Sequence, residues 1–195
     1  VGTWALYEAC RQIVAWQQVG LTPLRLSVNI SAVQFQRGDL AETVRLALAE
    51  TGLEPSRLCL ELTESMLMID TSHAQQKLQE LRNLGVSLSL DDFGTGYSSL
   101  AYLSCLPVQE LKVDQSFVRR LHDTPSDTAV VNTIIAMAQE LGLELVAEGV
   151  ETEEQKAHLV GRGCTTIQGF LFSTPLTLDE LAVFISRWRQ DGLHC

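Results

Sequence analysis

Two adjacent carboxylates, Asp91 and Asp92, close the run Ser87-Leu-Ser-Leu-Asp-Asp. Small polar residues alternate there with leucine, the pattern of a half-buried strand that delivers acid groups to its own end. Charges held that close repel each other, so the pair needs a cation, a proton or open water. A divalent metal is the most productive of the three. The strand cannot continue, because Gly94 and Gly96 allow a tight or left-handed backbone, and Tyr97, Ser98 and Ser99 read as the opening of a short helix. Either Asp alone suits a turn or cap equally well. Asp92-Phe93-Gly94 also spells a kinase metal triplet, but no Gly-rich loop with a following Val and no His-Arg-Asp loop accompanies it. Gly94-Thr95-Gly96 fails as a dinucleotide loop, since Ser99 stands where the third glycine belongs and two carboxylates would face the pyrophosphate.

Further polar side chains share this placement at strand ends. The segments Arg25-Leu-Ser-Val-Asn29, Arg57-Leu-Cys-Leu-Glu61, the Asp91 run, Glu110-Leu-Lys-Val113, Glu144-Leu-Val-Ala-Glu148 and Thr166-Ile-Gln168 all read as strands. In one phase they carry Leu26, Val28, Leu58, Leu60, Leu88, Leu90, Leu111, Val113, Leu145 and Ala147, a face for surrounding helices. The opposite phase ends, strand by strand, on Asn29, Glu61, Asp91, Lys112, Glu148 and Gln168. Taken singly, each has a plain reading as a turn residue, a solvated strand end or a surface ion pair; Glu64 could be a helix-start carboxylate, and Glu151 could share a polar face with Glu148. Six strands ending the same way favour the C-terminal mouth of a (β/α)8 barrel, where barrel chemistry is kept. An open doubly wound sheet would gather ligands at one switch point instead.

Helices must separate these strands if the sheet is parallel. The stripe Leu6, Cys10, Ile13 and Val14 predicts a helix over residues 3–19, ended by Gly20 and Pro23. Capping boxes at Asp39/Glu42, Ser72/Gln75, Thr152/Gln155 and Thr177/Glu180 open four more. A further helix, from Ser126 or Asp127 to Leu141, carries Val130, Ile134, Met137 and Leu141 as its apolar stripe. The result is about six strands alternating with helices, where a closed barrel needs eight.

The chain has 195 residues, 46% of them hydrophobic, enough for one domain with a substantial core. A net charge of -10 argues against a surface for duplex nucleic acid, and any phosphate ligand would need metal ions to bridge it to so acidic a protein. Five scattered Cys without a C-x-x-C fit a reduced cytoplasmic setting, either alone or as the cytosolic part of a membrane-anchored parent. The four scattered His make a zinc site a poor expectation.

Taken together, Val28-Asn29-Ile-Ser31, Glu61-Leu-Thr-Glu64, Asp91-Asp92-Phe-Gly-Thr-Gly-Tyr-Ser-Ser-Leu100, Lys112-Val-Asp114 with Phe117-Val118, Ala147-Glu148-Gly-Val-Glu151-Thr152 and Gln168-Gly169 with Pro175 resemble the successive signatures of the EAL domain. That family comprises the bacterial signalling phosphodiesterases for cyclic di-GMP, and the likeness spans nearly all of residues 1–195. It implies a TIM-like barrel that hydrolyses cyclic di-GMP to linear pGpG with Mg2+ or Mn2+ in a two-metal site. It further implies a homodimer through residues 93–100 and regulatory domains in the parent chain. Carried over, Asn29, Glu61, Asp91, Asp92 and Glu148 are metal-site residues, and Lys112 orients the attacking water. Glu151 and Gln168 hold the water and metal network, and Glu64 braces the loop of residues 94–100. The Glu-Ala-Leu tripeptide that names the family is absent, so the chain reads as a fragment without the first two strands, weakly active or inactive alone. A receptor or scaffold that binds the nucleotide without cleaving it is the alternative. A third reading is an unrelated Mg-dependent barrel enzyme that uses Lys112 as base on a carboxylate substrate.

Overall fold

The computed structural model describes residues 1–20, 24–68, 71–94 and 100–190. Six strands, β1 (Leu26–Asn29), β2 (Leu58–Thr63), β3 (Ser87–Phe93), β4 (Glu110–Val113), β5 (Glu144–Ala147) and β6 (Thr166–Ile167), form one sheet in the order of the sequence. Every neighbouring pair is parallel. Parallel neighbours in sequence order require a crossover between each pair, and helices supply it. They are α1 (Gly2–Gln18) before the sheet, α2 (Ala32–Arg37) and α3 (Leu40–Thr51) after β1, and α4 (Glu64–Leu67) and α5 (Thr71–Asn83) after β2. Then come α6 (Leu100–Leu103) after β3, α7 (Gln115–Arg119) and α8 (Pro125–Glu140) after β4, α9 (Glu153–Gly161) after β5 and α10 (Leu178–Gln190) at the end. This is a half-barrel of the α/β type. No helix among the described residues is long and apolar enough to cross a membrane.

Burial follows the expected parity. Leu58, Leu60, Leu62, Leu88 and Leu111 are each fully covered or nearly so, each stabilising the fold by about 1.5–3 kcal/mol on the usual area scale. The inner strand β2 is buried at five successive positions, Leu58 to Leu62, whereas β1 alternates between half-buried and exposed. The cause is position: β1 is an edge, so Ser27 and Asn29 face the open inside of the half-barrel.

Several local expectations shift. The helix α8 starts one to two positions earlier than its sequence cue, because Thr124 accepts the Asp127 N–H and Pro125 takes the first helical position. Its buried stripe is Val131, Ile134, Ile135 and Ala138, leaving Val130 exposed. At α3 only half of the capping box forms: Asp39 caps the Glu42 N–H, but the Glu42 carboxylate turns to Arg45 instead. Ser72 lies inside α5, which begins at Thr71, and the Gln75 Nε2 donates to the carbonyl of Cys105. The boxes at Thr152/Gln155 and Thr177/Glu180 form as read. The short helices α2, α4 and α7 were not apparent from periodicity, which needs more than one or two turns to register. Tyr97, Ser98 and Ser99, read as a helix start, lie outside the described residues.

The strand β3 does not stop on its acid pair. It runs on to Phe93, which is buried, and its pairing with β4 shifts register between Leu90 and Phe93. Asp92 sits at that shift with φ 56, a left-handed conformation that costs a non-glycine residue about 1–2 kcal/mol. Strain of this kind persists only where surrounding structure imposes it, and it gathers at functional sites.

Candidate functional site

Three strands send carboxylates to one ammonium. Lys112 of β4 places its Nζ 2.6 Å from Glu61 of β2, 2.6 Å from Glu148 just past β5, and 3.5 Å from Asp91 of β3. Each comes from the phase opposite the leucines, and the register sets neighbours level: Asn29 pairs with Glu61, and Glu61 with Ser89. The cluster is well shielded, with side-chain exposures of 6% for Lys112, 7% for Glu61, 12% for Asp91 and 18% for Glu148.

Electrostatics here is governed by an excess of acid. Burial alone would lower the Lys112 pKa, but hydrogen bonds to Glu148 and Glu61 reverse that and push it well up, so the side chain stays an ammonium. Glu148 is pushed up, first by burial and then by Asp91 and Glu61, against the pull of Lys112. Asp92 is also raised, by burial, by Asp91 and by Asp114, with Lys112 opposing. One ammonium cannot neutralise this set. Oxygen donors from Asp, Glu and Asn are the chemistry that hard cations such as Mg2+ and Mn2+ take. Among the described residues no three His, Cys, Asp or Glu side chains stand around one point as a coordination sphere, and the Lys112 ammonium sits against both Glu61 and Glu148. The donor set therefore fits divalent ions chemically, in competition with Lys112.

Beside the cluster lies a cleft of about 180 Å³ lined by Glu148, Glu151 and Gln168 together with Gln115, Arg119, Gly149, Gly169 and Phe170. The structure thus brings Glu148, Glu151 and Gln168 to one place, while Asn29 stands at the edge strand and is exposed. Glu151 faces Arg119, whose Nε is 3.6 Å from its Oε1. Glu64 is buried, and its Oε2 accepts the N–H of Gly94, a residue with φ 92. Of the segment 93–100, Phe93 packs in the core and residues 95–99 lie outside the described ones.

Sequence reasoning missed the far wall of the cleft. Gln115 and Arg119 are four residues apart, so a helix begun directly after β4 places both on one face. Phe170 is 61% exposed beside the cleft and stands two residues after Gln168. Gly169 could carry no side chain, since a Cβ there would lie 2.1 Å from the Val150 carbonyl oxygen.

Fold and site define a parallel half-barrel with an acidic, cation-seeking mouth, and comparison with known proteins specifies the family. The EAL domain model matches residues 1–175. The chain belongs to the EAL domain family. It is 47% identical over 189 residues to the cyclic di-GMP phosphodiesterase NbdA of Pseudomonas aeruginosa, covering 97% of this chain and 24% of that protein. With the bifunctional diguanylate cyclase/cyclic di-GMP phosphodiesterase MucR of the same organism it shares 45% over 186 residues, 95% of this chain and 27% of that one. It thus spans about a quarter of the length of either relative. Among solved structures, the MucR phosphodiesterase in complex with c-di-GMP superposes with a TM-score of 0.89 at 46% identity, covering 92% of this chain and 73% of that one. The EAL domain of Mycobacterium smegmatis DcpA gives 0.90 at 40%, covering 96% and 84%.

Proposed function

We propose that this chain is the greater part of the catalytic domain of a metal-dependent phosphodiesterase that hydrolyses cyclic di-GMP to linear pGpG in the bacterial cytoplasm. The observation that carries the reading is the set of three shielded carboxylates from three strands gathered on Lys112. In this reading Asn29, Glu61, Asp91, Asp92 and Glu148 hold Mg2+ or Mn2+. Bound there, the ions would activate a water and offset the phosphate charge in a two-metal arrangement. Lys112 is a permanent ammonium, so it holds the attacking water and meets the developing negative charge on the phosphoryl oxygens. The same raised pKa counts against Lys112 as the base of an enolising enzyme. Glu148, Glu151 and Gln168 orient the water network from the cleft side, and Glu64 braces the loop after β3 through its bond to Gly94.

The substrate assignment rests on the relatives' stated activity and on MucR's c-di-GMP complex. Regulatory domains in a longer parent chain and a homodimer through residues 93–100 belong to the same proposal. Chromatography of cyclic di-GMP incubated with the protein and Mn2+ or Mg2+ tests it. The expected outcome is slow release of pGpG, abolished by EDTA and by Lys112→Ala, and faster when two further strand–helix units from a relative complete the barrel. Tight binding of cyclic di-GMP by that completed protein without any release of pGpG would instead make it a receptor.

A further inference from the structure

Glu151 reaches the cleft from the segment between β5 and α9, and that segment is pinned residue by residue. The Glu148 N–H donates to the Val113 carbonyl at 3.2 Å, and the Val150 N–H to the Gln168 carbonyl at 3.1 Å. The Val150 carbonyl accepts the Leu171 N–H at 3.0 Å. Gly149, at φ 69, lets the backbone pass so close to α7 that a Cβ there would lie 2.5 Å from the Gln115 side chain. What reaches Glu151 itself is Gln155. This side chain is 8% exposed, and its Oε1 accepts both the Glu151 N–H at 2.8 Å and the Thr152 N–H at 3.1 Å. Its Nε2 donates to the Val118 carbonyl of α7 at 3.2 Å.

A glutamine at this place in a capping box ordinarily satisfies the N-cap amide alone. Here the same oxygen takes a second amide one residue upstream, and the nitrogen ties the helix start to the residue before Arg119. Arg119 and Glu151 are the ion pair that faces across the cleft. One buried amide therefore holds the backbone beneath both members of that pair.

We propose that Gln155 is a positioning residue for Glu151: its oxygen aims the Glu151 backbone at the cleft, while its nitrogen only fastens α9 to α7. The proposal rests on the reading of Glu151 as a holder of the water network in cyclic di-GMP hydrolysis. The two halves of the amide separate by substitution. Gln155→Met removes both. Gln155→Glu keeps an acceptor in a Thr-x-x-Glu capping box but cannot donate to the Val118 carbonyl.

The expected result is that Gln155→Met lowers kcat about 10-fold with KM within about twofold, since a small misplacement of a catalytic group acts on the chemical step. Gln155→Glu should lose as much melting temperature as Gln155→Met, yet keep kcat within about threefold of the wild type. In a Glu151→Gln background, Gln155→Met should lower kcat no further, because the residue it positions is already disabled. Equal loss of kcat in Gln155→Met and Gln155→Glu, or a full additional loss in the Glu151→Gln background, overturns the proposal. If Gln155→Met does not fold, Gln155→Glu decides by itself: a fallen melting temperature with a kept kcat supports the assignment, and a fallen kcat overturns it. If even the protein with a completed barrel releases no pGpG, the functional reading has failed. The exchange rates of the Glu151 and Thr152 amide hydrogens then decide for Gln155, with faster exchange in Gln155→Met expected and unchanged exchange overturning the clamp.

Discussion

Strand β4 carries opposite charges two residues apart on one face, and its two ends show what each kind of charge cluster is for. At the N-terminal end Glu110 meets Arg25, Nη1 to Oε2 2.8 Å, and Arg25 also lies 3.5 Å from Glu144. Cys59 joins them as a neutral thiol, since burial pushes it up to about 11. Of the three charged groups only Glu110 is truly buried, at 6% side-chain exposure against 38% for Arg25 and 72% for Glu144, so one shielded carboxylate has one cation and water manages the rest. At the C-terminal end three shielded carboxylates share one ammonium. A balanced pair ties strands together. An unbalanced cluster leaves negative charge uncompensated at a cost in stability, which the proposed ions would offset. The contrast teaches that buried ion pairs on one strand can differ in purpose, and that the count of carboxylates per cation tells them apart.

Removing the shared ammonium should break the contrast most. Lys112→Met would leave the carboxylates without their buried counter-charge, a loss of about 3–5 kcal/mol in EDTA by the cost of an uncompensated buried charge. Divalent metal should return part of it, while hydrolysis falls at least about 100-fold. A melting temperature unchanged in EDTA would show that the mouth carries no excess charge. Asp91→Asn comes next. It weakens the ion site yet relieves repulsion with Asp92, so activity should drop about 100-fold with little change in melting temperature. Near-normal turnover at saturating Mg2+ or Mn2+ would make the acid pair structural.

At the other end Glu110→Gln should cost about 1–2 kcal/mol, held down by the exposure of Arg25, with turnover within about twofold of the wild type. A large loss of turnover would mean that the two ends of β4 are coupled. The smallest effect belongs to neither end. His158 of α9 has its Nε2 2.9 Å from Asn132 Oδ1, and burial, His122 and Arg162 push its pKa below the ordinary 6.5. The unfolded chain then binds this proton more readily than the folded one, so the contribution is intact above about pH 6.5 and is lost as pH falls below it. Urea midpoints at pH 7.5 and 5.0 should differ less in His158→Gln than in the wild type, and equal differences would refute the assignment.

Much of this was legible in order along the chain. Alternation with leucine placed β1 to β5 to within a residue or two at most ends, because a half-buried strand needs one apolar face whatever packs on it. The parity of Glu61, Asp91, Lys112 and Glu148 was legible for the same reason, since side chains two apart must share a face. The family likeness rested on long motifs that composition cannot imitate.

What only the tertiary structure decided are the relations between strands and across helix starts. Residue types show that Lys112 and three carboxylates share a phase, but the register of four strands is what brings them within 2.6 to 3.5 Å of one nitrogen. The bulge that turns Asp92 to φ 56 follows from pairing with β4, which local propensity does not see. The bond from the Gln155 Nε2 to the Val118 carbonyl crosses 37 residues and depends on how α7 and α9 approach each other. Periodicity reports what one segment needs to bury; contacts between segments are set by packing, where register and close approach select among partners that the sequence leaves equivalent.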